Sequence, residues 1–222
     1  MKKLFVVIIC AIMALSVSAQ RASSSSSSFF STEKAESGVR FGIRAGLNLS
    51  TLSLVEDNHT YTTDSRAAWH VGAIVDIPLM QSLYVQSGLY FMNKGGKETE
   101  EEDYKVTYSP MYLEIPVLAS YRYDFGSTAQ LQINVGPYFA YGVGGKVKME
   151  HDGEEESDDF FHENSAKKFD CGLQFGAGVT FASHYYLGFA YDLGLSNIAK
   201  NSGDSDGKIK NRSWMISLGY TF

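Results

Sequence analysis

The 222-residue chain contains only two cysteines, Cys10 and Cys171. Cys10 lies in an apolar N-terminal segment that we expect to be removed, which would leave Cys171 alone in the mature chain. A lone cysteine excludes an intramolecular disulfide, even in an oxidising compartment. Nothing near Cys171 on its predicted strand would stabilise a thiolate, so we predict that it packs rather than reacts.

Long hydrophobic runs are missing beyond residue 19, where no stretch approaches the roughly 18 apolar residues of a transmembrane helix. Residues 1–19 combine a basic start, an apolar run and a small-residue end, which predicts a secretory signal peptide. Residues 20–38 contain a serine run and are predicted to be a disordered tether. Residues 39–222 are then long enough for one domain.

Signatures of catalysis and of nucleic-acid binding are also absent from the sequence. The net charge of −6 argues against a nucleic-acid partner. Gly-x-Ser-x-Gly, His-Glu-x-x-His and Cys-x-x-Cys do not occur, so we expect neither an enzyme nor a cofactor. His70 is the histidine with most catalytic potential, because the alternation along its strand places it on the lumen side, near the outer end of the strand. A packed polar side chain is the interpretation we favour for it.

The sequence does contain a series of segments in which large apolar residues alternate with small or polar ones. Successive side chains of a strand point to opposite faces, so each segment predicts a strand with one apolar face. In the last segment the larger side chains are Arg212, Trp214, Ile216, Leu218, Tyr220 and Phe222. The predicted strands are 39–50, 67–79, 82–92, 108–123, 129–146, 168–181, 184–197 and 211–222.

Two features indicate that the apolar faces point outward. The opposite faces combine charged residues with many glycines and with tyrosines that can be buried. The apolar faces end in aromatic residues, as the interfacial girdles of membrane barrels do. The segments also reach the ~9–11 residues that a tilted strand needs to cross a bilayer.

The connections between these strands alternate strictly between short and long. Residues 80–81, 124–128 and 182–183 form brief turns, and the long polar connections are 51–66, 93–107, 147–167 and 198–210. This is typical of outer-membrane barrels with tight periplasmic turns and long extracellular loops. The prediction is an all-β, eight-stranded antiparallel up-and-down transmembrane β-barrel in the cell outer membrane, with both termini in the periplasm.

Several short motifs resemble a known family. Residues 42–50 read GIRAGLNLS, residues 112–116 YLEIP, residues 134–138 NVGPY and residues 219–222 GYTF. Together they resemble the PorT-like outer-membrane β-barrels of Bacteroidetes, small barrels of the OmpA/OmpX type. The resemblance implies no catalytic residues, because the family has no established catalytic motif. A link to secretion machinery is implied by the founding member.

Charged residues on the predicted inner face suggest a polar lumen. An eight-stranded barrel is just wide enough for side chains to fill, so residues on opposite walls can meet. Since a buried charge without a partner is costly, we expect Arg44 and Glu114 to pair. The predicted lumen polar network consists of Arg40, Arg44, Asp76, Glu114, Arg122 and Asp192.

Acidic residues crowd the predicted loops around residues 98–103 and 150–163. The simplest interpretation is a solvated surface charge run. Asp152, Glu154 and Glu156 are the candidates for a divalent-cation site, but they lack EF-hand spacing, so no metal is expected.

Two classes of function follow from these predictions. The first is a structural or interaction scaffold whose acidic loops contact lipopolysaccharide or other envelope proteins. The second is a narrow channel for small solutes or ions, and an outer-membrane enzyme is third. Barrel-assembly machinery is a further expected partner. It would recognise a C-terminal signal formed by Trp214, Tyr220 and Phe222.

Overall fold

The computed structural model describes residues 38–56, 59–101, 104–125, 128–151, 154–161, 166–200 and 207–222. The predicted signal peptide, and the predicted tether except for Gly38, lie outside these residues. No helix in the described ranges is long and apolar enough to cross a membrane. The strands are β1 Arg40–Glu56, β2 His59–Thr62, β3 Arg66–Pro78, β4 Leu83–Asn93, β5 Gly96–Glu101, β6 Tyr104–Phe125, β7 Ala129–His151, β8 Glu154–Asp159, β9 Phe169–Phe181, β10 Tyr185–Gly194 and β11 Lys208–Thr221.

Eight of these strands form a closed antiparallel ring. Around the ring the order is β1, β3, β4, β6, β7, β9, β10 and β11, and β11 returns to β1. The closing pair runs in unbroken register from Gly42 opposite Thr221 to Val55 opposite Lys208. The predicted eight-stranded up-and-down barrel is therefore confirmed. Closure gives every strand of the wall two neighbours, so no backbone edge faces lipid.

The wall has an apolar exterior and a polar interior. On the exterior Phe41, Leu47 and Leu218 are 60%, 67% and 65% exposed. In the interior Tyr112 and Tyr138 have no exposed surface at all. Apolar side chains facing outward around a complete ring would aggregate in water, whereas lipid solvates them.

The two ends of the barrel differ. At one end, here called the terminal end, lie the start of β1 and the three brief turns after β3, β6 and β9. The turn from β9 to β10 is made by Ala182 and Ser183, whose φ angles are 47° and 63°. Positive φ at both central residues is the geometry of a type I′ hairpin turn, which suits the twist of the flanking strands.

At the other end, here called the arm end, the predicted long loops are partly strand. β2 pairs with β1, β5 with β6, and β8 with β7. β6 and β7 stay paired from Phe125 opposite Ala129 to Tyr104 opposite His151, well beyond the ~10 residues that cross a bilayer. Polar and apolar residues keep alternating in these extensions, which is why they remain strands. We call these extensions and β2, β5 and β8 the arms.

A register shift marks the point where β6 and β7 extend beyond the wall. The register shifts between Met111 and Tyr112, and Gly145 opposite Pro110 has a φ of +135°. A Cβ atom on Gly145 would lie only 2.5 Å from the Cα atom of Pro110. Glycine is needed at this β-bulge for its backbone conformation and for this close approach.

A small hydrophobic cluster covers the lumen at the arm end. Leu52, Phe160, Ala166 and Ile198 form this cap cluster, and all four are buried. The neighbouring ring of Phe161 lies 5.6 Å from that of Tyr112, a lumen residue. Phe161 thus connects the cap cluster to the contents of the barrel.

Candidate functional site: the closed lumen

The lumen near the terminal end holds a cluster with excess positive charge. Arg122 Nη2 lies 2.7 Å from Asp76 Oδ2, and Gln86 Nε2 donates to Asp76 Oδ1 over 2.7 Å. Arg44 Nη1 in turn donates to Gln86 Oε1 over 2.9 Å. We call Arg40, Arg44, Asp76, Gln86 and Arg122 the basic cluster. The cluster contains three guanidinium groups and one carboxylate, and of the three arginines Arg122 is the one that pairs with Asp76.

Tyrosine rings partly compensate the excess positive charge of the basic cluster. The Arg44 guanidinium carbon lies 3.7 Å from the ring centre of Tyr186, and that of Arg122 lies 4.2 Å from Tyr84. The negative face of an aromatic ring attracts a cation, most strongly where water is excluded. Stacking therefore lowers the cost of burying Arg44, which no carboxylate contacts directly, and adds to the ion pair of Arg122 with Asp76.

The lumen near the arm end holds a second cluster, centred on Lys94. Its Nζ atom lies 2.6 Å from Glu114 Oε2 and 3.0 Å from Asp192 Oδ2, and none of the three side chains is more than 1% exposed. Nζ also sits 4.3 Å from the ring centre of Tyr138. One ammonium group thereby joins the end of β4 to β6 and β10 across the lumen.

A further carboxylate completes this cluster. Asp170 accepts hydrogen bonds from Ser196 Oγ at 2.6 Å and from Asn211 Nδ2 at 2.9 Å. Gln174 Nε2 donates to Asp192 Oδ1 over 2.7 Å. We call Lys94, Glu114, Asp170 and Asp192 the acidic cluster. Its excess negative charge lies above the excess positive charge of the basic cluster along the barrel axis.

His70 lies between the two clusters in a hydrogen-bonded chain. Asn48 Nδ2 donates to the carbonyl oxygen of Asn93 over 2.9 Å, which turns its Oδ1 toward His70 Nδ1. With Nδ1 donating to that oxygen, His70 Nε2 accepts from Ser217 Oγ at 2.9 Å. A nucleophilic serine, its base and an orienting amide would show the same order of contacts.

The space beside this chain is too small for a substrate. A cavity of about 30 Å³ is lined by Arg44, His70, Glu114 and Ser217 among others. That volume accommodates roughly two water molecules. Both charged clusters separate the cavity from the ends of the barrel. His70 and Ser217 therefore serve as satisfied polar contacts of the lumen in this arrangement.

The structure brings the predicted network residues together in a different pairing. Arg44, Asp76, Glu114, Arg122 and Asp192 are buried in the lumen, and Arg40 is half-buried at the terminal end. The predicted Arg44–Glu114 pair is wrong. Arg44 bonds to Gln86, and Glu114 pairs with Lys94, because the two belong to different clusters along the axis.

Lys94 is the functional residue that the sequence interpretation missed. It directly follows β4 and was placed in a long polar loop. Tyr90, Met92 and Lys94 occupy alternate positions on the lumen side of this strand. Following the alternation one step further would have placed the lysine inside the barrel.

The residues of the predicted assembly signal all lie on the exterior. The Trp214 ring is 4.3 Å from Tyr191 and 5.2 Å from Phe189, and the Tyr220 ring is 5.4 Å from Phe222. They contribute to the aromatic girdles at the two ends of the wall. Recognition by assembly machinery stays a prediction.

The cation candidates lie in or beside β8. Glu156 is exposed on this strand, whereas Asp152 and the side chain of Glu154 lie outside what the structure describes. Among the described residues, no group of three or more histidine, cysteine, aspartate or glutamate side chains is placed to hold a metal ion.

A closed ring of strands with an apolar exterior and a charged, filled interior defines an outer-membrane β-barrel protein. The sequence matches the family described as outer membrane protein beta-barrel domain over residues 19–200, and the chain belongs to this family. Membership places it in the outer membrane. The narrower resemblance to the PorT-like barrels of Bacteroidetes stays a prediction.

Several solved barrels are similar in fold. Ail, the attachment invasion locus protein of Yersinia pestis, is 15% identical with a TM-score of 0.42, over 84% of this chain and 100% of Ail. OprG of Pseudomonas aeruginosa is 16% identical with a TM-score of 0.46, over 86% and 97%. The outer membrane enzyme PagL is 14% identical with a TM-score of 0.44, over 78% and 97%. No curated protein sequence matches the chain at a significant level.

Proposed function

We propose that this protein is a non-conducting outer-membrane scaffold that presents its arms to partners outside the cell. The observation that carries the proposal is the filled lumen. The basic cluster, the acidic cluster and the cap cluster follow one another along the barrel. A cavity of about 30 Å³ lies between the two charged clusters, and a separate cavity of about 130 Å³ is lined by the apolar cap cluster.

A permeating ion would have to displace these buried charges. Lys94 holds Glu114 and Asp192 at 2.6 and 3.0 Å in a region without exposed surface. Separating a buried pair leaves charges without compensation, at a cost of about 3–5 kcal/mol. The same contacts tie β4, β6 and β10 together, which makes the barrel a rigid support.

The arms supply the surface for interactions. Residues 155–159 of β8 are exposed and mostly acidic. Lys148 lies 3.6 Å from Glu155, but both side chains are at least half exposed, so this pair adds little stability. These exposed negative charges instead attract or repel molecules that approach the arms. Other envelope proteins are the partners we infer, including secretion machinery, as the resemblance to PorT-like barrels implies.

The orientation belongs to the same proposal. Short turns at one end and long extensions at the other are the usual asymmetry of outer-membrane barrels. We therefore place the terminal end, with both termini, in the periplasm and the arm end at the cell surface.

Conductance across a planar bilayer tests the proposal. Purified protein should first show a heat-modifiable band on a gel, which reports a closed barrel. We expect the folded protein to give no discrete current steps above the bare bilayer. Reproducible steps that scale with salt concentration would overturn the scaffold proposal.

A narrow channel is the second candidate, favoured by the charges that line the whole lumen. If current steps occur, Glu114→Gln should change their cation-to-anion selectivity, because Glu114 faces the central cavity. Glu156→Gln on β8 provides the control, since its exposed carboxylate lies away from the lumen.

A further inference from the structure

The exterior of β11 carries three cationic residues in a row toward the arm end. Arg212, Lys210 and Lys208 occupy alternate positions, while Asn211 and Ser213 between them are buried on the lumen side. Alternate residues of a strand point the same way and are roughly 7 Å apart. We call Arg212, Lys210 and Lys208 the cationic stripe.

The stripe begins where the apolar wall ends. Trp214, the next exterior residue of β11 after Arg212 toward the terminal end, packs against Tyr191 and Phe189 of the neighbouring strand. Aromatic girdles of this kind lie at the boundary between hydrocarbon and headgroups. Headgroup layers are roughly 5–8 Å thick on each side of the hydrocarbon, so Arg212 lies within this layer. Lys210 and Lys208 follow about 7 and 14 Å further along the strand, and their long flexible side chains extend back toward the headgroups.

The stripe has no acidic partner in the described part of the chain. Thr51 and Leu193 flank Arg212 in the sheet, and neither is charged. No carboxylate oxygen of a described residue lies within 4 Å of its three cationic groups. Arg212 Nε is covered and finds no hydrogen-bond acceptor among the described residues.

Two lysines of the arms, Lys105 and Lys148, differ in this respect. Lys105 Nζ lies 3.5 Å from Glu150 Oε2, and Lys148 Nζ lies 3.6 Å from Glu155 Oε2. Unlike these lysines, the stripe offers donors within and just above the headgroup layer, and no described residue places a carboxylate oxygen within 4 Å of them.

We propose that the cationic stripe binds the phosphate groups of a phosphorylated glycolipid in the outer leaflet. An arginine fork matches two phosphate oxygens, and lysines add point charges along the same line. Below the stripe, Trp214, Ile216 and Leu218 present an apolar surface to the acyl chains of the same lipid. The inference rests on the proposed orientation, in which the arm end faces the cell surface.

Binding of lipid A to the refolded protein in detergent micelles tests this site. The three probes are bisphosphorylated lipid A, its dephosphorylated form and inorganic phosphate. Native mass spectrometry measures the amount of bound lipid. The rise in the unfolding temperature on adding each probe measures how strongly that probe stabilises the protein. The test variant is K208Q/K210Q/R212Q, and the matched control is K105Q/K146Q/K148Q, which removes three cations from the arms.

We expect wild type and control to bind bisphosphorylated lipid A equally, and the test variant to bind it at least about tenfold more weakly, the sum of two or three exposed charge contacts. Dephosphorylated lipid A and inorganic phosphate should bind wild type much more weakly. Equal binding of the dephosphorylated lipid would overturn the site, since apolar contact would then suffice. Equal binding of inorganic phosphate would overturn the lipid assignment.

An equal loss in the arm-lysine control would also overturn the proposal, because attraction to net charge would explain it. If the triple variant shows no heat-modifiable band, Lys210→Gln alone replaces it, with an expected loss of a few-fold. Conductance is independent of this measurement. If the stripe does not bind the lipid, the scaffold proposal is unaffected. If the barrel conducts, the proposed lipid site is unaffected.

Discussion

The ammonium group of Lys94 makes two ion pairs inside the lumen. Its ammonium group is the cation that contacts both Glu114 and Asp192, and all three are buried. Replacing a complete buried ion pair by apolar groups can be neutral, but removing one partner leaves the other charge uncompensated. The consequences of a substitution at Lys94 therefore follow from the carboxylates that stay behind.

We predict that Lys94→Met lowers the free energy of unfolding by about 3–5 kcal/mol. Methionine keeps most of the volume but leaves the two carboxylates without their cation. Urea unfolding of the protein in lipid vesicles measures the loss. Lys105→Met is the control, because its pair with Glu150 is exposed and should cost about 0–1 kcal/mol.

The carboxylate side of the pair gives a second prediction. Glu114→Ala should lower the unfolding temperature more than Glu150→Ala, because only Glu114 pairs within the lumen. Thermal unfolding followed by heat-modifiability measures both. Equal losses would contradict the buried network.

Ser217 gives a prediction about chemistry. We expect no labelling of the folded protein by a fluorophosphonate that reacts with activated serines, because the cavity at Ser217 admits little more than water. Mass spectrometry of the treated protein measures labelling. Label that disappears in Ser217→Ala but persists in Ser213→Ala would indicate a catalytic serine and contradict the structural interpretation.

At this scale the sequence predicted which side chains face the lumen but not which ones pair. Alternation along each strand placed Arg44 and Glu114 inside. Their relative height depends on how neighbouring strands are staggered around the barrel, and alternation within one strand contains no information on stagger. Lys94 was missed because it lies two residues past the predicted end of its strand, at residue 92.

Among the elements, the β9–β10 turn contains backbone strain that a substitution could relieve. Ala182 and Ser183 adopt φ values of 47° and 63°, which cost roughly 1–2 kcal/mol for a residue with a Cβ atom. Asn-Gly is the preferred sequence for this turn type. The sequence located the turn correctly, but nothing in Ala-Ser indicated its backbone conformation.

We predict that A182N/S183G raises the free energy of unfolding by about 1 kcal/mol or more. Urea unfolding measures the gain. Ser82→Gly in the β3–β4 turn is the control, because Ser82 has no positive φ and a glycine there only adds freedom to the unfolded chain. A gain from both variants would argue against relief of backbone strain.

The arms show how tertiary pairing overrides local preference. Glutamate has a low preference for strands, so the acidic segment of β8 was interpreted as loop. In the structure it pairs with β7 from Lys146 opposite Asp159 to His151 opposite Glu154. β7 itself alternates throughout and provides the template on which β8 forms.

The cap cluster should hold the arms independently of the barrel wall. We predict that Phe160→Ala speeds proteolytic cleavage within the arms by about tenfold or more, because it removes a large buried side chain. The heat-modifiable band should persist. Limited proteolysis of the reconstituted protein measures the rate. Phe125→Ala, an exposed ring at the terminal end, should leave it unchanged.

For the whole molecule, the orientation in the membrane is open to a direct measurement. In a Cys171→Ala background, Glu156→Cys should react with a membrane-impermeant maleimide on intact cells. Ser183→Cys at the terminal end should react only after the outer membrane is permeabilised. Both positions are exposed in the structure, so accessibility within the protein is not limiting. The reverse pattern would contradict the proposed orientation.

The pairing of β1 with β11 has a consequence for how the protein is made. Every other contact in the ring joins strands that are close in sequence and can form as hairpins. The last contact joins Gly42 to Thr221, almost the full length of the domain apart. Non-local pairings of this kind are the slow steps of folding. Until β11 arrives, β1 presents an open edge that lipid cannot satisfy, so assembly can finish only after the whole chain has been exported.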